Sequence, residues 1–207
     1  TQPWKFDMNW SRVAVALLVF VQLGSRGFAQ QHDPGEPTVA RIFNSGEFNA
    51  DGFGPARWLE DGSGYTTLER AENPAGRDIV RYDPATGRRE VLVAAQRLIP
   101  PGAKSPLVIA DYAWSPDGAR LLIFTNSRRV WRQNTRGDYW VLDLASYSLR
   151  KLGGDAEEAT LMFAKFSPDG RRVAFVRHNN IYLEDIADGR ITALTSDGSQ
   201  TLINGTF

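Results

Sequence analysis

Apolar and polar residues alternate along short segments over most of this chain, which is the period of β-strands. One phrase makes the pattern specific. Ser115-Pro116-Asp117-Gly118 returns 52 residues later as Ser167-Pro168-Asp169-Gly170, each time between two apolar segments. Proline sets φ at the first central position of a turn, and Asp-Gly accepts the tight bend that follows. The phrase therefore predicts two equivalent β-hairpins.

A hairpin that recurs at roughly 40–50 residues is typical of a β-propeller blade. Matching the segments around the repeat predicts three blades of four antiparallel strands, with an aspartate at the end of each third strand. The predicted strands are 56–59, 65–70, 78–83 and 88–93; 111–114, 121–126, 138–143 and 148–152; and 163–166, 173–178, 180–185 and 190–194. No convincing helical period follows the linker.

The predicted fold is thus all-β: an incomplete propeller of about three blades over residues 39–207. A propeller ring needs at least about four blades to close. Residues 201–203 suggest the first strand of a fourth blade. We therefore expect the sequence to be a fragment of a longer protein.

One insertion, residues 127–137, separates the second and third strands of the second blade and is predicted to be a loop. It contains four arginines and Trp131. Arginine offers a planar fork of donors that suits carbonyls and carboxylates. A solvated basic loop, or arginines that stack on Trp131, would also explain this composition.

Composition and motifs argue against several kinds of binding and catalytic chemistry. Formal net charge is zero, so no basic surplus supports nucleic-acid binding, and the absence of cysteine excludes disulfides and thiolate chemistry. No nucleophile elbow, zinc-binding His-Glu-x-x-His or phosphate-binding loop is present. His32 and His178 have no metal-ligand partners in the sequence pattern. We therefore predict no catalytic residue, metal or cofactor in this chain.

The N-terminus suggests export. Lys5 and Arg12 precede an apolar run over residues 13–23, and Gly27-Phe28-Ala29 places small residues where a signal peptidase cuts. Residues 1–29 are predicted to be upstream residues and a signal peptide, and residues 30–38 a linker. The mature protein would be periplasmic or extracellular. A buried helix is the alternative interpretation of the apolar run.

Four segments carry a resemblance to a known family: residues 111–118, residues 130–133 together with 139–143, residues 164–170, and residues 203–207. On these the chain resembles the N-terminal part of the dipeptidyl peptidase IV family, which are prolyl-oligopeptidase-type serine exopeptidases. The pair Trp131-Arg132 and the ending Asn204-Gly205-Thr206 are the more specific matches, because many propellers contain Ser-Pro-Asp-Gly.

The resemblance implies a parent with an eight-bladed propeller and an α/β-hydrolase domain that carries a Ser-Asp-His triad. Such a parent removes Xaa-Pro or Xaa-Ala dipeptides from peptides with a free N-terminus, and a homodimer is compatible with it. By its place in the motif, Arg132 matches the arginine that contacts a carbonyl of the bound peptide. We expect Arg128, Arg129 and Arg136 not to share that role.

The family's glutamate pair and its triad would fall after Phe207, so this chain is expected to be inactive alone. A non-enzymatic periplasmic propeller, similar to TolB-type binding modules, is the alternative. The reading frame beyond Phe207 would discriminate the two: a Trp-Val-Tyr-Glu-Glu phrase and a nucleophile elbow indicate the peptidase, and further blades followed by a stop indicate the binder.

Overall fold

A computed structural model describes residues 37–49 and 53–206 of the 207-residue chain. The chain divides into one unit up to Asp51 and a second from Gly52 onward. The predicted signal peptide and most of the predicted linker lie outside the described residues. In the first unit, helix α1 (Val39–Asn44) begins where the Thr38 hydroxyl accepts the backbone N–H of Arg41 at 3.1 Å. This short capped helix differs from the expectation of strands and turns alone.

The second unit is built from antiparallel strands in two sheets that do not close into a ring. The first blade is a four-stranded sheet, and a 3₁₀ turn, Ala95–Leu98, follows it. The second and third blades follow in one eight-stranded sheet. The strands are β1 (Arg57–Trp58), β2 (Tyr65–Glu72), β3 (Ala75–Tyr82), β4 (Arg89–Val93), β5 (Ile109–Trp114), β6 (Arg120–Val130), β7 (Gln133–Asp143), β8 (Leu149–Lys151), β9 (Leu161–Phe166), β10 (Arg172–Arg177), β11 (Asn180–Asp185) and β12 (Ile191–Ala193).

Both Ser-Pro-Asp-Gly turns form as predicted. The Gly118 N–H bonds to the Ser115 carbonyl at 2.9 Å, and Gly170 bonds to Ser167 at the same distance. Each serine hydroxyl also donates to the aspartate two residues on, at 2.5 Å. That hydroxyl, helped by a backbone N–H, holds the pKa of Asp117 below its ordinary value. The aspartates therefore stabilise the turns.

Two apolar clusters hold neighbouring blades together, because both faces of the second blade are buried. Leu121 and Ile123 of β6 pack toward the first blade, whereas Leu122 packs toward the third. This is the period-2 alternation that the sequence shows. The first cluster comprises Leu68, Ile79, Val93, Leu98, Ile109, Tyr112, Leu121, Ile123, Leu142 and Leu149; the second comprises Leu122, Tyr139, Val141, Leu152, Leu161, Val173 and Phe175.

Three details differ from the predicted layout. The second and third blades share one sheet, because Arg136 and Gly137 pair with Met162 and Leu161 of β9. Residues 201–203 form no strand, although a fourth blade was expected to start there. Strand β1 is also only two residues long.

Candidate functional site

The insertion in the second blade is a β-hairpin and not the predicted loop. Strands β6 and β7 continue past the blade, and Arg128 pairs with Arg136, Arg129 with Asn134 and Val130 with Gln133. The register shifts twice along this stretch. We call residues 126–137 the arm. Its tip is the two-residue turn Trp131-Arg132.

Asn126 and Asp138 form the base of the arm. Asn126 has φ 46°, in the left-handed region that asparagine tolerates, so β6 changes direction there. Its Nδ2 donates to Asp138 Oδ2 at 2.8 Å. The buried Asp138 also accepts the Ala159 N–H at 2.9 Å and lies 3.2 Å from Lys151 Nζ. Three elements therefore converge on one carboxylate, and this fixes the direction in which the arm leaves the blade.

An aromatic stack lies directly beneath the arm. The rings of Phe124 and Tyr139 lie 4.7 Å apart and nearly parallel. Gly137 packs against this stack: a Cβ there would lie 2.4 Å from Phe124 Cε2 and 2.6 Å from the Thr125 carbonyl oxygen. Burial raises the pKa of Tyr139 to about 12, although backbone N–H groups of Ala164 and Phe163 act in the opposite direction. Only glycine fits at this point without displacing its neighbours.

The tip presents an aromatic ring and a cation to solvent. Trp131 has φ 57° and is 83% exposed. The Arg132 guanidinium carbon lies 4.6 Å from the Trp131 ring centroid, a cation–π contact. Arg129 Nε donates to the Trp131 carbonyl at 3.0 Å. Stacking leaves the N–H groups in the guanidinium plane available, so Arg132 can donate hydrogen bonds to a ligand while Trp131 supports it.

The residue predicted to bind substrate, Arg132, therefore lies exposed at the tip of a hairpin. Sequence reasoning missed the two residues that support the arm, Asn126 and Asp138. A signal for Asp138 does exist, because Asp78, Asp138 and Asn180 occupy the same place in the three third strands. Each accepts a backbone N–H from the segment that follows its blade, from Ala95, Ala159 and Gly198 respectively.

The described residues contain neither a cluster of metal ligands nor a long apolar helix. No group of three or more histidine, cysteine or carboxylate side chains is arranged to hold a metal ion there. No helix within the same residues is long and apolar enough to cross a membrane. The exposed His178 lies in the turn between β10 and β11.

Comparison with known proteins gives consistent results. Residues 115–207 match the family model of the dipeptidyl peptidase IV (DPP IV) N-terminal region. A probable dipeptidyl-aminopeptidase B of Neosartorya fischeri is 27% identical over 162 residues, which cover 78% of this chain and 17% of that protein. The protein of the same name from Aspergillus clavatus is 34% identical over 100 residues, which cover 48% of this chain and 11% of that protein.

A solved structure is similar as well. The crystal structure of Porphyromonas gingivalis dipeptidyl peptidase 4 superposes with a TM-score of 0.66 and 30% identity, over 79% of this chain and 22% of that chain. The sequence thus spans less than a fifth of the length of the first curated relatives that it matches, 17% in the case above.

Proposed function

We propose that this chain is the substrate-positioning propeller part of a serine exopeptidase, because residues 115–207 match the family model of the dipeptidyl peptidase IV N-terminal region. The whole protein would release Xaa-Pro or Xaa-Ala dipeptides from peptides with a free N-terminus. Bond cleavage would occur in an α/β-hydrolase domain, which would pair with this propeller, by acyl transfer through a serine nucleophile. The observation that carries the proposal is the exposed Trp131-Arg132 tip within the matched region.

The role of the arm in this reaction is orientation. Arg132 would donate to a peptide carbonyl, and the Trp131 ring would limit the positions that its guanidinium can occupy. Holding the peptide in one geometry lowers the entropic part of the barrier without any bond being broken by the arm. The stack of Phe124 and Tyr139 and the contact of Asn126 with Asp138 would keep the tip at a fixed place relative to the blade.

The experiment is Arg132→Ala in the protein that carries the hydrolase domain, assayed with a Gly-Pro chromogenic substrate that has no charged side chain. A hydrogen bond from a charged donor contributes about 1.5–3 kcal/mol, so kcat/KM should fall roughly 10- to 150-fold. Arg132→Lys should restore only part of the loss, because lysine keeps the charge and loses the planar fork. Melting temperature should not change, since Arg132 is exposed.

Arg136→Ala is the matched control, because it removes the same charge from the same arm. Equal losses in the two variants, or no loss with Arg132→Ala, would overturn the role of Arg132. Absence of dipeptide release by the unmodified protein would favour the non-enzymatic binding propeller instead.

We also propose that the protein is exported, on the basis of the apolar run at residues 13–23 and Gly27-Phe28-Ala29. Mass spectrometry of the protein recovered from its natural host should find Gln30 at the N-terminus. Recovery with residues 8–29 still attached would contradict cleavage of a signal peptide.

A further inference from the structure

The four arginines of the arm lie close together along the chain without carboxylate partners among the described residues. Elsewhere in the second unit some arginines pair with carboxylates, as Arg89 does with Glu69 at 2.7 Å, whereas others, such as Arg171 and Arg190, form no ion pair with the described residues. Within the part of the chain that the structure describes, no carboxylate forms an ion pair with any of the four arm arginines. Residues 127–137 contain no acidic residue either. The arm therefore concentrates positive charge on a chain whose formal net charge is zero.

Two of these charges oppose each other directly. Arg128 and Arg136 are cross-strand partners, and both are exposed. Side chains at paired positions lie on the same face of a hairpin, and like charges placed there destabilise the pairing. A hairpin needs neither arginine for its fold at an exposed position. The arrangement is therefore suited to binding an anion that lies against that face.

We propose that the arm recognises acidic peptides, with Arg128 and Arg136 attracting carboxylate side chains of a peptide that Arg132 holds by a carbonyl. The proposal rests on the proposed function for the role of Arg132 and extends it to the charge of the substrate. The sequence predicts that Arg128 and Arg136 do not share the role of Arg132. The present proposal gives them a different role, which applies only to peptides with acidic side chains.

The spacing along the arm sets where the acidic residues should be. Arg136 is four residues from Arg132, and a strand advances about 3.3 Å per residue, so the pair lies roughly 13 Å from the tip. A bound extended peptide has the same rise. Carboxylates about three to five residues from the contacted carbonyl would therefore lie near Arg128 and Arg136.

A peptide fits the arm better than a nucleic acid does. A nucleic-acid surface is usually a broad basic footprint, and this chain has no basic surplus. One face of the Trp131 ring already carries the Arg132 guanidinium, which limits its use as a platform for stacking bases.

The experiment measures calorimetric binding of the full chain to two amidated peptides, Ala-Pro-Gly-Gly-Glu-Glu-Gly and its twin with glutamine in place of both glutamates. At ~20 mM salt, where screening is weak, we expect the acidic peptide to bind roughly three- to tenfold more tightly. At ~500 mM salt the preference should fall below about twofold. This comparison uses unmodified protein, so it does not depend on the folding of any variant.

The second part of the experiment compares two double variants. One is Arg128→Gln/Arg136→Gln, and the other is Arg171→Gln/Arg190→Gln. Arg171 and Arg190 are exposed and lie outside the arm, and their removal changes the net charge equally. The first pair should abolish the preference for the acidic peptide, and the second should keep it.

Three outcomes would overturn the proposal: equal affinity for the twin peptides at low salt, equal effects of the two double variants, or tighter binding of an oligothymidylate of matched charge, which would make the arm a nucleic-acid surface. The assay of Arg132→Ala on a substrate without charged side chains tests the proposed function separately. A failure there together with a retained preference for the acidic peptide would keep the charge recognition by Arg128 and Arg136 and remove the carbonyl contact of Arg132.

Discussion

The second and third blades close the same hairpin in two different ways. Thr125 pairs with Asp138 in the second blade where Arg177 pairs with Asn180 in the third. The third blade then turns at once through His178 and Asn179, which both have positive φ, 49° and 61°. In the second blade the chain instead extends into the arm before it returns. The extension adds a charged tip, and through Arg136 and Gly137 it also pairs with β9 and joins the second blade to the third.

The two hairpins also share the side chain that supports them. In the third blade, Asn180 Oδ1 accepts the Gly198 N–H at 2.9 Å, and its Nδ2 donates to the His178 carbonyl at 3.3 Å. In the second blade, one oxygen of Asp138 accepts the Ala159 N–H, and the other accepts from Asn126. One polar atom therefore anchors the segment that follows the blade, and the other holds the first residue of the turn. The arm uses an anchor that the repeat already provides.

The largest expected effect comes from converting one hairpin into the other. Deletion of residues 127–136 joins Asn126 to Gly137, and Asn-Gly is a strongly preferred pair for a two-residue hairpin turn. In the protein that carries the hydrolase domain, we expect kcat/KM for a Gly-Pro substrate to fall at least as far as with Arg132→Ala, roughly 10- to 150-fold. Dipeptide release would measure kcat/KM, and circular dichroism would measure the β-sheet content and the melting temperature.

The folded blade should survive this deletion, with β-sheet content and melting temperature close to those of the parent. A deletion variant that keeps full activity would show that the arm does not position the substrate. A variant that loses its sheet signal would show that the arm is required for the blade and not only for function.

The next effect concerns Tyr139, whose counterpart in the third blade is Ile181, a residue that cannot titrate. The folded-state pKa of Tyr139 is about 12, above its ordinary value of 10.0. The stabilisation of the folded state that comes from this raised pKa is fully present below pH 10.0 and is lost as pH rises toward about 12. The difference between the folded-state pKa and the ordinary pKa corresponds to about 2–3 kcal/mol of unfolding free energy.

Tyr139→Phe should therefore remove part of the decline in stability between pH 10 and about 12, which urea denaturation at stepped pH would measure. Tyr112, whose pKa is also raised by burial, is present in both proteins and cancels in the comparison. Parallel pH profiles for the parent and the variant would contradict the assignment.

A third prediction tests the close approach at the base of the arm. Gly137→Ala places a methyl group against Phe124 and the Thr125 carbonyl, and forced overpacking costs about 1–3 kcal/mol. Gly76→Ala is the matched control, since its Cβ would meet only side-chain atoms, the nearest at 3.1 Å. We expect a clearly smaller loss of unfolding free energy there. Equal losses would mean that the base of the arm relaxes as easily as the blade surface.

The comparison also explains what the sequence could predict. The blades were predictable because burial on both faces imposes a period of two, and because Ser-Pro-Asp-Gly is local turn chemistry. The hairpin form of the arm was not predictable, because residues 127–130 show no alternation of apolar and polar positions. These residues form a strand because they continue β6, and residues 133–136 do so as part of β7. The contact of Asn126 with Asp138 depends on cross-strand register, which single-sequence patterns do not reveal. Comparing Asp78, Asp138 and Asn180 across the blades could have revealed the anchor.

The smallest expected effect separates charge kept for binding from charge kept for folding. Arg136→Gln removes one of two like charges at paired positions, and such pairs are worth about 0.2–1 kcal/mol, so the protein should become slightly more stable. No arginine opposes Arg190 in the register of β11 and β12, so Arg190→Gln should leave stability unchanged. The gain should shrink in ~0.5 M salt, where screening weakens the repulsion. A loss of stability with Arg136→Gln would mean that its side chain supports the hairpin, and the charge pair would then need no ligand to explain it.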